Sequence, residues 1–302
     1  MSTNPKSQLQ SSGVDFTPTT HHDTYEYIQP QQFTLEDRAV FITGASKGIG
    51  RATAISYAKA GASHIAIAAR TDMKDVEDEM IRAAKEAGKL PPQIIRLKVD
   101  VTSEQSVGEA AAQVEKAFGR LDVLVNNAGY LETFVPLHET SVDDWWKVWE
   151  VNIKGPYLVT RAFIPLLIRS DDSLRTILNV SSIGANIISP GASGYQCGKM
   201  ALLRFGEFLN ADYADKGILS FGIHPGGIAT ELAKGMPEKM HSLLNDTAEL
   251  AGDSIVWLTA ERKEWIKGRY VSCNWDMKEF LDKRKAIEDG DLLKVRLDVG
   301  LN

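Results

Sequence analysis

From Ala39 onward the chain alternates short apolar runs with longer stretches in which apolar residues recur every three or four positions. The short runs are Ala39–Thr43, His64–Ala69, Gln93–Val99, Val123–Asn126, Thr176–Val180, Leu219–His224 and Tyr270–Ser272. Several are almost continuous hydrophobes, the pattern of a strand covered on both faces. Between them the helical period runs over Gly48–Ala60, Asp72–Ala87, Ser103–Phe118, Ser141–Ile168, Gly194–Tyr213 and Glu249–Thr259. This alternation predicts an α/β fold with a doubly wound sheet of about seven parallel strands. Right-handed crossovers then put helices on both faces. No Pro/Ser-rich linker interrupts residues 38–275, so one domain is expected there.

The two ends read differently. Residues 1–37 are rich in Ser, Thr, Gln, Asn and Pro with little periodicity, which predicts a polar arm, flexible or draped over the surface. Residues 276–302 read as an appended charged tail. The start of the chain has no apolar core of a secretory signal, and no run approaches the roughly 18 apolar residues of a spanning helix. A net charge of -6 argues against nucleic acid as a partner. Two cysteines, Cys197 and Cys273, exclude a disulfide framework. The protein is expected to be cytoplasmic, without membrane attachment. His21 and His22 lack a third ligand nearby, and no metal site is expected.

Chemistry enters immediately after the first strand. Thr43-Gly44-Ala45-Ser46-Lys47-Gly48-Ile49-Gly50 stands between a strand and an alanine-rich helix. Glycines there let the backbone turn tightly and approach a diphosphate, and the helix start offers free N–H groups to the anion. An ordinary strand–helix turn is the plainer alternative for Gly44, Ser46, Lys47, Gly48, Ile49 and Gly50. The context favours a dinucleotide and makes the doubly wound sheet Rossmann-type. The second strand ends Ala68-Ala69-Arg70, with no carboxylate to accept from a ribose 2′-hydroxyl. Arg70 suits a 2′-phosphate through its fork of donors, and Lys47 adds a second charge, so NADP(H) is favoured over NAD(H). Asp100 and Val101, ending the third strand, are placed to read an adenine. Asn127, Ala128 and Gly129, after the fourth, line the same crevice.

Tyr195 and Lys199 lie at i and i+4 on one helix face. An ammonium about 4 Å from a phenol, at an effective dielectric of about 20, favours the phenolate by roughly 4 kcal/mol. That lowers a tyrosine toward the pH at which it exchanges protons. Ser182, just past the fifth strand, is positioned to donate to a substrate carbonyl oxygen. Asn152 sits four residues before Pro156, which has no N–H to give it, so its carbonyl is freed and the helix should kink. That carbonyl would hold a water on a proton route from Lys199. Trp145, Trp146 and Trp149 read as core or interface anchors, and Cys197 as a packing residue.

Taken together these elements closely resemble the short-chain dehydrogenase/reductase family over about residues 34–275. The matching elements are the glycine loop, Asn126-Asn127-Ala128-Gly129, Asn152, Ser182, Tyr195 with Lys199, and Pro225-Gly226-Gly227-Ile228-Ala229-Thr230. The resemblance implies that Tyr195 is the general acid in carbonyl reduction and the base in reverse. Lys199 would hold the nicotinamide ribose, Ser182 the substrate oxygen and Asn152 the relay water. Pro225, Gly226, Ile228 and Thr230 would belong to the cofactor site, with the Ile228 N–H and Thr230 hydroxyl on the carboxamide. It further implies a homodimer or homotetramer built on Ser141–Ile168 and Gly194–Tyr213.

Residues 231–246 read as a substrate lid with a partly apolar inner face, from Leu232, Met236, Met240, Leu243 and Leu244. The expected activity is NADPH-dependent reduction of a ketone or aldehyde, or oxidation of the matching alcohol. Two alternatives stay open: an NAD-linked dehydrogenase, and a non-redox module that keeps the fold and cofactor.

Overall fold

The computed structural model describes residues 12–297. Seven parallel strands form one sheet in the order β3-β2-β1-β4-β5-β6-β7. They are β1 (Ala39–Thr43), β2 (His64–Ala69), β3 (Gln93–Lys98), β4 (Val123–Asn126), β5 (Thr176–Val180), β6 (Leu219–His224) and β7 (Tyr270–Ser272). The expected fold is borne out, with β3 one residue shorter than its apolar run. Six of the strands are wholly buried or nearly so, which is why their sequences show no polar alternation.

Successive side chains divide between two cores. Val40 and Ile42 of β1 join Ile65 and Ile67 of β2 on one face, against Tyr57 of α1 (Gly48–Lys59), Met80 of α2 (Lys74–Glu86) and Val256 of a later helix, Ala248–Thr259. Ala39 and Phe41 point the other way, toward Val114 of α3 (Glu104–Phe118) and Phe163 further along. The period of two along the strand thus builds both layers.

The stretch expected as one kinked helix is two helices. α4 (Val142–Trp149) runs into a π-turn at Glu150–Lys154, and α5 (Gly155–Leu167) continues from it. Pro156 falls in the first turn of α5, where its missing N–H costs little. α6 (Ser193–Asp212) carries the Tyr195/Lys199 pair, and α7 (Ala248–Thr259) packs beside α1.

Both ends differ from expectation. Within residues 12–37, Ile28 and Leu35 are fully buried in the core, and Thr20 bridges to Trp275. Phe16 lies 4.8 Å from the Trp275 ring. The tail forms α8 (Met277–Asp282) and α9 (Arg284–Asp289), which bury Met277, Phe280 and Ile287. Sparse apolar residues hid these contacts from periodicity, because each is an isolated anchor rather than part of a stripe. Residues 1–11 of the expected arm and 298–302 of the expected tail lie outside the described residues.

Candidate active site

The carboxyl ends of β1 and β4 diverge where the strand order switches direction, the place where open α/β sheets form a crevice. A cleft of about 980 Å³ opens there. At one end stands the glycine loop, held in shape by the continuation of β4. Thr43 Oγ1 accepts the backbone N–H groups of Asn127 (2.9 Å) and Ala128 (3.0 Å). The Asn127 side-chain amide donates back to the carbonyls of Thr43 and Gly44. Gly44 has φ +67°, and a Cβ there would lie 2.9 Å from Ala128 Cα. A Cβ on Gly50 would run into the Gly44 carbonyl. Only glycine fits both places, as the loop motif implied.

No side chain caps the first turn of α1, whereas Ser103, Ser141 and Thr247 cap α3, α4 and α7. The uncapped turn begins at the cleft, with Ser46, Lys47, Gly48 and Ile49 lining it. Free N–H groups, a positive dipole end and a close-packed glycine backbone fit a dinucleotide diphosphate. Arg70 is exposed in the cleft wall and makes no hydrogen bond or ion pair with any described residue. Lys47 instead pairs with Glu231 of the lid, so the two expected cations are not equally free. Asp100 and Val101 line the cleft, and two hydrogen bonds from Thr102 keep the Asp100 carboxyl below its ordinary range. Ala128 and Gly129 also line it.

At the far end stand Tyr195 and Lys199. Lys199 is 4% exposed and its Nζ donates to the Val180 carbonyl at 2.7 Å, lying 5.5 Å from the centre of the Tyr195 ring. Burial lowers its pKa to about 8. Ser182 hydrogen-bonds the Tyr195 phenol, and its Oγ also accepts from the Gly184 N–H. Tyr195 does not move in the expected direction. Desolvation pushes it up to about 12, outweighing the hydrogen bond from Ser182. The reason is placement: the ammonium is spent on a strand carbonyl and sits over the ring rather than beside the phenol oxygen.

Glu132 was not singled out from the sequence, yet it is 2% exposed and its Oε1 accepts the Tyr195 N–H at 2.9 Å. It supplies from a distant loop the cap that Ala192 cannot give α6. Its negative charge also disfavours the Tyr195 phenolate. Nothing in the local pattern marks it, since the partner lies 63 residues away. Asn152, fully buried in the π-turn, uses its side chain rather than only its carbonyl. The amide accepts from Tyr130 N–H and donates to Tyr130 O, both at 2.8 Å. It therefore fixes the loop that carries Glu132.

After β6, Pro225, Ala229 and Thr230 line the cleft while Gly226 and Ile228 lie behind that surface. The lid residues Leu232 and Lys234 complete the wall. The segment forms short turns at Ala233–Gly235 and Glu238–Leu243, and Leu243 faces solvent rather than the cleft. Trp145, Trp146 and Trp149 cluster with centroids 5.1–6.5 Å apart, with Trp146 exposed at the cleft. Cys197 is exposed, not packed. His21 pairs with Asp276 and His22 with Asp246. No helix among the described residues is long and apolar enough to cross a membrane.

A family model described as short chain dehydrogenase matches residues 38–241. A short chain dehydrogenase of Monascus ruber, citE, is 51% identical over 287 residues, covering 95% of this chain and 98% of that protein. Another from the same organism, pigC, is 44% identical over 285 residues, covering 93% of each. The structure of a putative short chain dehydrogenase from Pseudomonas syringae superimposes with a TM-score of 0.70 at 30% identity, over 79% of this chain and 95% of that one.

Proposed function

We propose that this chain, which belongs to the short chain dehydrogenase family of NAD(P)-dependent oxidoreductases, is an NADPH-dependent reductase of a ketone or aldehyde. The family binds nicotinamide cofactors and acts on small molecules. The observation that carries the reading is the Tyr195 phenol, half-buried, bonded to Ser182 and one helical turn from Lys199 at the floor of the cleft.

The glycine loop and the first turn of α1 would hold the diphosphate, Arg70 a 2′-phosphate, and Asp100 and Val101 the adenine. Asn127 would act through the loop it ties, with Ala128 and Gly129 against the cofactor. Ile228 and Thr230, on the shelf after Pro225 and Gly226, would take the carboxamide. When bound, the reduced nicotinamide supplies a hydride. Ser182 then donates to the substrate oxygen and keeps it aimed at Tyr195. The phenol passes its proton to that oxygen as negative charge develops there. A tyrosine held at about 12 is fully protonated at neutral pH, which suits an acid in the direction of reduction. Lys199, mostly cationic at neutral pH, lies over the Tyr195 ring and would hold the nicotinamide ribose. The Asn152 carbonyl would anchor a relay water at the π-turn. Self-association through the outer faces of α5 and α6 belongs to the same reading, since Tyr157, Met200 and Phe208 are exposed there.

Oxidation of NADPH, followed by absorbance against a panel of ketones, aldehydes and quinones, tests the activity. Tyr195→Phe should bind NADPH as the wild type does and lose roughly 10²–10⁴-fold in turnover. Unchanged turnover would remove Tyr195 from the chemistry and leave the cofactor-binding module as the better reading.

A further inference from the structure

The family model begins at residue 38, yet the segment before it reaches the rear of the nicotinamide end of the cleft. Asp246 is the junction. Its side chain is 4% exposed, so its charge needs donors to offset lost hydration. It has three. Gly227 N–H and the Asn274 amide donate to Oδ2, and His22 Nδ1 meets Oδ1. The Asp246 N–H in turn donates to the Gly227 carbonyl at 2.9 Å. Asp246 thus grips both sides of Gly227, one residue before Ile228.

The backbone is shaped for this grip. Gly226 has φ +104°, and a Cβ there would lie 2.6 Å from Asp246 Oδ2. The segment around His22 is itself pinned. The His22 carbonyl accepts from Thr247 N–H at 2.9 Å, and Asp23 Oδ1 accepts from the Thr247 hydroxyl at 2.7 Å. The His21 N–H donates to the Asn274 carbonyl, the Asn274 side-chain amide donates back to the His21 carbonyl, and His21 Nε2 meets Asp276 at 2.9 Å.

We propose that residues 21–24 form a strap that positions the Gly226–Thr230 shelf, with His22 and Asp246 as positioning residues for the nicotinamide half of the cofactor. The inference rests on reading that shelf as the carboxamide site. Among the described residues none of the strap's hydrogen bonds reaches Arg70, Asp100 or Val101, and its one link toward α1 runs through Thr24 and Asp253 to Ser56 in the middle of that helix, so its effect should fall on the nicotinamide half. His22→Ala leaves one oxygen of a buried carboxylate without its donor and frees the shelf to move.

The test measures binding without turnover. Titration of NADPH by its own fluorescence gives Kd for the whole cofactor, and adenosine 2′,5′-bisphosphate reports the adenine end alone. His22→Ala should raise Kd for NADPH by roughly three- to tenfold, the size of one net hydrogen bond, and leave the bisphosphate unchanged. Amide hydrogen exchange over residues 226–230 should quicken in the same variant. Asp246→Ala, which removes the acceptor of the Gly227, Asn274 and His22 donors together, should do the same more strongly. Should Asp246→Ala fail to fold, His22→Ala alone decides the matter. Equal loss for both ligands, or no change in NADPH binding and exchange, overturns the strap. Wild-type protein that binds neither NADPH nor NADH overturns the shelf reading itself and the strap with it.

Discussion

Thr43→Val removes the hydroxyl that ties the glycine loop to the segment after β4 and keeps the shape of the side chain. Thr43 is 2% exposed, and its oxygen is the acceptor for the N–H groups of Asn127 and Ala128. Valine leaves both amides without an acceptor at a site of low solvent access. Each stranded donor costs roughly 1–3 kcal/mol, so about 2–6 kcal/mol in total is expected. For a chain of this size about 2–4 °C of Tm accompanies each kcal/mol, which makes a fall of roughly 4–24 °C. Thr43→Ser keeps the acceptor and loses one methyl, worth about 1 kcal/mol. Thermal unfolding followed by circular dichroism at fixed pH should therefore order the proteins as wild type, serine, then valine by a wide gap. The valine variant should also bind NADPH more weakly, since the tied loops form the phosphate end of the cleft. If valine and serine melt together, the hydroxyl is not what holds the loops and the reasoning fails.

Further outcomes follow from the same site. Arg70→Asp should weaken NADPH binding by roughly 10- to 100-fold and NADH binding far less, and equal loss of both would refute the 2′-phosphate assignment. Burial lowers Lys199 from 10.5 to about 8, so between those pH values the unfolded chain holds a proton that the folded chain does not. Stability contributed by Lys199 then rises with pH across that window, by up to roughly 3 kcal/mol. The Tm of the wild type minus that of Lys199→Met should climb from pH 8 to 10.5, and a flat difference would contradict the burial argument. Phe208→Glu should shift a wild-type oligomer toward monomer in analytical ultracentrifugation. A wild type already monomeric at micromolar concentration would dismiss the helix-face interface.

Most of the sheet was written in the sequence because every strand but the edge strand β3 is buried, and burial on both faces leaves a local mark. β1, β2 and β5 are almost continuous apolar runs, and their ends match the structure. Gly44 and Gly50 were legible for a similar reason, since their backbone demands are met by one residue type. The Pro156 signal was half read: it fixed a break in the helix but not its form, a π-turn whose Asn152 side chain clamps Tyr130. What the sequence could not show depends on partners far apart in the chain. Glu132 meets Tyr195 across 63 positions, and His22 meets Asp246 across 224. Periodicity is blind to such pairs, because each is one polar contact between segments that only the folded sheet brings together. The same limit explains Tyr195. Its spacing from Lys199 fixed which residues share a helix face, while packing decided that the ammonium turns to Val180 and that burial holds the phenol protonated. Local pattern determines what a segment becomes, and desolvation and distant partners, which exist only after folding, determine how its side chains ionise.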